Sequence, residues 1–238
     1  MDSNQRFAHA IERLSVADPE GSDLCGPIVT AFRVSGVSIA TLGDPLGSET
    51  VSASDEPSAH RSEIQIDLSQ GPIWSALASR HPVLEADLRR EGGGEWPLAC
   101  EALKSDGVGA VYAFPLSVGS LGLGAVGIYS DTARTFTPIE VTGASALATI
   151  VARKIFRRGI LRLDLEIDDG ESDGPYARRE VHQASGIIAA QLGISVADAL
   201  AVLQAHSFSS GASVRDCAAE VIARRLDLSH PLPDADLG

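Results

Sequence analysis

Apolar positions recur at three- and four-residue steps late in the chain. Val181, Ala184, Ile188 and Leu192 form one set, Val196, Ala199, Leu200 and Leu203 a second, and Val214, Cys217, Ala218, Val221 and Ile222 a third. That spacing puts each set on one face of an α-helix. Ser195 with Asp198 and Ser213 with Asp216 fit the S-x-x-[DE] pattern, in which a hydroxyl caps free N–H groups beside a first-turn carboxylate. Gly193 and Gly211 fall where the preceding helices should stop, since glycine enters the left-handed conformation without a Cβ penalty. The pattern predicts helices at 176–192, 196–208 and 214–226. On the first, Arg178, His182, Ser185 and Ala189 share a second face, the candidate binding surface. Gly186 lies inside that helix, where glycine costs about 1 kcal/mol relative to alanine. Either a neighbouring helix or a ligand should come close to it.

Earlier in the chain the pattern changes. Phe7, Ile11 and Leu14 share one face of a helix that Pro19 ends, docked on its own domain or on a twin subunit. A short helix at 23–32 precedes an alternating strand at 37–42, which Gly43-Asp44-Pro45 turns. Residues 49–54 could pair with it, and 55–70 are polar enough for a loop or a marginal helix. Gly71-Pro72 opens a helix with proline in its first turn. A short strand and turn follow at 81–88, then a break at Gly92-Gly93-Gly94, then a helix from Trp96-Pro97 through Lys104. Apolar runs at 108–116 and 122–129 around Gly119 read as a hairpin, and 137–156 as a long helix. Flanking helices with antiparallel strands make an α+β pattern.

At 238 residues the chain has room for one ordinary domain and a small one. Its 19 Lys and Arg against 32 Asp and Glu, net −13, argue against a general nucleic-acid coat and leave room for selective binding by a local face. Cys25, Cys100 and Cys217 are odd in number, widely spaced and set among apolar residues, as reduced core thiols of a cytoplasmic protein would be. No apolar run approaches the roughly 18 residues a membrane span needs, and the first residues lack a secretory signal's basic and apolar regions. No membrane partner is expected. The six histidines show no metal spacing. Gly122-x-Gly124-x-x-Gly127 falls within a predicted strand where a dinucleotide loop would open a helix. No catalytic residue, metal or cofactor is predicted.

Val181-His182-Gln183-Ala184-Ser185-Gly186-Ile187-Ile188, Gln191-Leu192-Gly193-Ile194-Ser195, Ala199, Leu203 and Asp216-Cys217-Ala218 resemble the ANTAR domain of bacterial antitermination regulators. The resemblance implies a small all-α three-helix domain at 176–228 that binds paired stem-loops in nascent RNA. Arg178, Arg179, His182, Ser185, Gly186 and Arg215 are its candidate RNA-binding residues. Many relatives carry lysine where this chain has Ser185, and a polar or basic turn where it has Gly211-Ala212-Ser213. Both departures should weaken phosphate affinity. His206 and Phe208 are assigned to completing the bundle.

Gly71-Pro72-x-Trp74-x-Ala76, Pro82-Val83, Trp96-Pro97, Gly107-Val108, Phe114-Pro115-Leu116 and Gly122-x-Gly124-Ala125 resemble a GAF domain. This implies an antiparallel sheet flanked by helices at 21–160, a pocket on one sheet face for a small-molecule or protein signal, and a homodimer through the flanking helices. Trp74 and Trp96 are the candidate ligand-binding residues, core packing being their other role. No lysine precedes Lys104, so the cyclic-nucleotide form of the fold does not fit, and Cys100 among Leu98, Ala99, Ala102 and Leu103 does not suit a bilin. The N-terminal helix takes 1–20 and a tail 229–238. After the basic stretch Arg153 to Arg162, the acidic run Asp164 to Asp173 reads as part of a linker at 161–175. It serves either as a solvated connector or as a segment that folds onto arginines and competes with RNA. The combination is familiar among actinobacterial regulators. The expectation is a signal-responsive, RNA-binding regulator of antitermination. Its alternatives are a protein-interaction or scaffold module that has lost RNA binding and, as a third, a helix-turn-helix DNA regulator.

Overall fold

The computed structural model describes residues 3–16, 23–43, 46–90, 94–165 and 179–228. The chain divides into two compact units, Met1–Ala177 and Arg178–Gly238.

The described elements of the first unit run, in order, α1 (Ser3–Val16), α2 (Gly26–Phe32), β1 (Gly36–Thr41), β2 (Glu49–Ala53), α3 (Glu56–Asp67), α4 (Pro72–Ser79), β3 (Val83–Glu85), α5 (Pro97–Ser105), β4 (Ala110–Val118), β5 (Leu121–Ser130) and α6 (Pro138–Leu165). The five strands form one antiparallel sheet in the order β2-β1-β5-β4-β3. Gly119, at φ 60°, turns the β4–β5 hairpin where the sequence places it.

Side chains alternate between the faces of a strand, and here the two faces differ in size. Val37, Ile39, Tyr112, Phe114, Leu116, Val126 and Ile128 are large and pack with Phe7, Leu14, Ile28, Phe32, Phe136, Leu147 and Val151 from the α1, α2 and α6 side. Ser38, Ala40, Ala113, Ala125 and Gly127 face the other way and are small. That leaves room for α3, α4 and α5 to bring Ile66, Ile73 and Ala76, and Ala99, Cys100 and Leu103, close to the sheet. Gly124, at φ 153°, could not be otherwise: a Cβ there would sit 1.9 Å from the Ala40 carbonyl oxygen.

The polar run at 55–70 is a well-formed helix. The Asp55 side chain caps it by accepting from the Ser58 N–H at 2.8 Å. Its buried face carries Ser58, Ser62 and Gln65 beside Ala59 and Ile66, and the Thr50 hydroxyl of β2 donates to the Ser62 hydroxyl at 2.9 Å. The polarity that suggests a loop is the polarity of the packing contact. The helix α6 continues beyond residue 156 to Leu165 and so takes in the start of the expected linker, 161–165. Residues 166–175 of that linker lie outside the described residues. Thr137 and Glu140 open α6 as a capping box: the Thr137 N–H donates to Glu140 Oε2 at 2.8 Å and the Glu140 N–H to the Thr137 hydroxyl at 3.3 Å.

The second unit holds α7 (Arg179–Leu192), α8 (Val196–Ser210) and α9 (Val214–Ile222). The expected caps are in place. The Asp198 N–H donates to the Ser195 hydroxyl at 3.1 Å and the Asp216 N–H to the Ser213 hydroxyl at 3.0 Å, while Gly193 and Gly211 take φ of 68° and 69°. The core is Val181, Ala184, Ile188, Ala199, Leu203, Val214, Cys217, Ala218 and Val221. Two expectations need correction. The helix α9 ends at Ile222 and not at Leu226, because Arg224 turns left-handed at φ 57° and the Arg225 and Leu226 N–H groups fold back onto the Glu220 carbonyl. Val196, assigned to the core face, is 55 % exposed. As expected, all three cysteines are free and buried, and burial pushes the Cys25 thiol up to about 12.

Candidate nucleic-acid interface

On α7, Val181, Ala184 and Ile188 point into the core, and Arg179, His182, Gln183, Gly186 and Ala190 are exposed. Arg179 lies three and four residues before His182 and Gln183, those two four and three before Gly186, and Gly186 four before Ala190, so the group makes one continuous stripe on the solvent side. Gly186 stands in the middle of it, and an added Cβ would meet nothing within 4 Å. Packing against a neighbouring helix, one of the two accounts of this glycine, therefore does not hold. The helix bears a residue of poor propensity on an open face.

The candidate residues separate. His182 and Gly186 lie in the stripe with Arg179, whereas Ser185 is 1 % exposed and donates its hydroxyl to the Val181 carbonyl at 2.8 Å. Ser185 is a core residue and lies off the exposed stripe, and Ala189, half-buried, lies beside it. Serine at the margin of a buried face can bond back to its own helix, so its polarity no longer requires water. Arg215, second residue of α9, is half-buried. Arg178 lies outside the described residues. Gln183 completes the stripe, and its spacing four residues after Arg179 was the available signal for it. On α8, Phe208 is 63 % exposed and does not complete the bundle; Ser207 takes the inward position, donating to the Ala212 carbonyl at 2.7 Å. Arg225 grips Glu220 with two hydrogen bonds at 2.8 and 2.7 Å, and those bonds hold the Glu220 carboxyl below its ordinary range.

In the first unit the small-residue face of the sheet carries a buried hydrogen-bond network centred on Tyr129. Its hydroxyl lies 3.0 Å from the Ser38 hydroxyl and accepts from Gln65 Nε2 at 3.2 Å. Gln65 Nε2 also donates to the Arg61 carbonyl at 3.1 Å, and its oxygen accepts from the Ile73 N–H at 3.2 Å. Burial pushes the Tyr129 hydroxyl up to about 12, so it stays protonated. Trp74 Nε1 donates to the Gln65 carbonyl at 2.8 Å, and Trp96 Nε1 to the Ser75 hydroxyl at 3.0 Å. Trp96 is a core residue at 5 % exposure, and Trp74 is half-buried against Ile73 and Ala76. Both indoles therefore spend their N–H groups on the protein itself.

Residues 176–222 match the ANTAR domain family. The chain is also similar to the GAF domain of a phosphoenolpyruvate-protein phosphotransferase from Coxiella burnetii, at 14 % identity and a TM-score of 0.53, over 68 % of this chain and 98 % of that one. A GAF domain of an Acinetobacter phosphoenolpyruvate-protein phosphotransferase gives 11 % identity and a TM-score of 0.51, again over 68 % and 98 %. Comparison with curated proteins gave no match. Residues 176–222 thus match an ANTAR domain, and the N-terminal unit has the GAF fold. The chain joins a GAF fold to a region that matches the ANTAR domain. Among the described residues no single helix is long and apolar enough to cross a membrane.

Proposed function

We propose that the protein is a signal-responsive regulator of transcription antitermination, in which the exposed stripe of α7 reads nascent RNA stem-loops and the GAF fold sets its availability. The observation that carries this reading is Gly186: a helix-interior glycine with open space before it, flanked by His182, Gln183 and Arg179, in a domain that matches ANTAR. A bare backbone at that point lets a nucleic-acid strand come close, and the polar neighbours can reach base edges in an unpaired loop. Arg179, with Arg178 just before it and Arg215 on α9, supplies the cationic contacts. Ser185 is left out of the site.

A homodimer is part of the same reading. Phe7 and Ile11 of α1, with Pro138, Ile139, Thr142, Gly143 and Ala146 of α6, line an apolar groove of about 480 Å³, and Ile139 is 55 % exposed at its edge. A second copy burying that groove would pair two ANTAR units for paired stem-loops. The interaction-module reading draws support from Phe208 and Val196, both exposed and apolar on α8. Salt separates the two, since phosphate contacts weaken steeply with ionic strength and apolar docking does not. The test is binding of the full-length protein to a tandem stem-loop RNA and to a scrambled control from low to physiological salt, beside an Arg179→Glu/His182→Ala variant. Salt-sensitive preference for the stem-loops, lost in the variant with its fold intact, is the expected outcome. Equal affinity of variant and parent would remove the site assignment.

A further inference from the structure

The described residues that line the groove between α1 and α2 are Arg6, His9, Ala10, Arg13, Pro27, Thr30, Ala31 and Arg33, around a volume of about 370 Å³. In a chain with 32 acidic residues and a net charge of −13, this lining holds three arginines and a histidine and no carboxylate. Its floor is apolar, because Ala10, Pro27 and Ala31 are buried. His9, Arg13 and Arg33 are exposed along the rim, and Arg6 is held across the groove by its Nε–H donating to the Ala31 carbonyl at 3.0 Å. The volume falls within the range of small-molecule sites.

Arg33 adds an independent observation. It follows the last residue of α2 at φ 52° and ψ 52°, a left-handed conformation that glycine adopts freely and that arginine adopts against a steric penalty. The position carries a guanidinium at the groove's mouth where the backbone alone would favour glycine.

We propose that the α1–α2 groove is a binding site for a small organic anion with an apolar body, its carboxylate or similar acid group held by Arg13 and Arg33 and its body laid on Ala10, Pro27 and Ala31. Arginine suits this task because its planar fork of donors matches a carboxylate. The site lies on the α1, α2 and α6 side of the sheet, across it from Trp74 and Trp96. It gives the first unit an entry for a signal separate from the network around Tyr129, and it stands whether or not the second unit binds RNA.

The experiment is a calorimetric or NMR titration of the full-length protein with octanoate, 1-octanol and inorganic phosphate, repeated on an Arg13→Ala/Arg33→Gly variant. Glycine fits the backbone at residue 33, so that change removes charge without straining the fold, and Arg33→Gly alone carries the comparison should the double variant fail to fold. Octanoate should bind saturably at one site per chain, 1-octanol and phosphate at least tenfold more weakly, and the variant should lose tenfold or more in octanoate affinity with no drop in thermal midpoint. No saturable octanoate binding below 10 mM, equal binding of 1-octanol or of phosphate, or an unchanged variant would each overturn the proposal.

Discussion

Replacing Gly186 with alanine separates what the helix wants from what binding wants. The added methyl meets no atom within 4 Å, so no clash opposes it, and alanine in a helix interior is better than glycine by about 1 kcal/mol. In a unit of this size that corresponds to a rise of about 4–8 °C in the midpoint of its unfolding. It also corresponds to roughly fivefold slower exchange of those α7 amides that exchange by unfolding of the unit. Amide exchange on the full-length protein isolates α7 from the GAF unit and is the better assay. The same methyl stands in the path of a strand approaching the stripe, so affinity for stem-loop RNA should fall tenfold or more while stability rises. A destabilised Gly186→Ala protein would show that something packs on the glycine after all. A stabilised protein with undiminished RNA affinity would show that RNA does not come close at α7.

Three further outcomes follow from the same geometry. Ser195→Ala and Ser213→Ala each remove a cap bond of 3.1 and 3.0 Å and should each destabilise the second unit by about 1 kcal/mol, nearly additively in urea unfolding because they cap different helices. Gly124→Ala forces a Cβ to within 1.9 Å of the Ala40 carbonyl oxygen at φ 153° and should destabilise the first unit on the order of 3 kcal/mol or more, read as a collapse of its unfolding midpoint. Burial raises the Glu140 carboxyl, but hydrogen bonds from Thr137 and the charge of Arg134 outweigh it and hold the group below its ordinary value of 4.5. Its contribution is therefore present above that value and is lost as pH falls through the folded-state pKa. Glu140→Gln should flatten the acid side of the stability curve of the first unit, and a curve parallel to the parent's would contradict that.

Much of the framework is readable in the residues, for identifiable reasons. Ser195 and Ser213 announce helix starts because the capping hydroxyl and the carboxylate three residues on must be local. The β4–β5 hairpin shows because both strands are buried and apolar around a left-handed glycine. What escapes the sequence is the choice a folded neighbour makes. Residue 185 sits at the margin of the apolar arc of α7, and only the structure shows that arc widened to include a serine bonded to its own helix. Ser207 takes the inward position expected of Phe208 because the Ala212 carbonyl, across the turn, is within reach of its hydroxyl. The helix α3 is hidden by its polar composition, which is used in contact with β2. The open stripe 179–182–183–186–190 is half visible: His182, Gly186 and Arg179 are named, while drawing the second face through Ser185 and Ala189 leaves Gln183 out of it.

The central claim meets its most direct test in single-round transcription in vitro, on a template whose tandem stem-loops precede an intrinsic terminator. The full-length protein should raise readthrough, the scrambled template should not respond, and the Arg179→Glu/His182→Ala variant should leave termination as it is without protein. Termination unchanged by the protein on a template whose RNA it binds, or readthrough raised equally by the variant, would contradict the account.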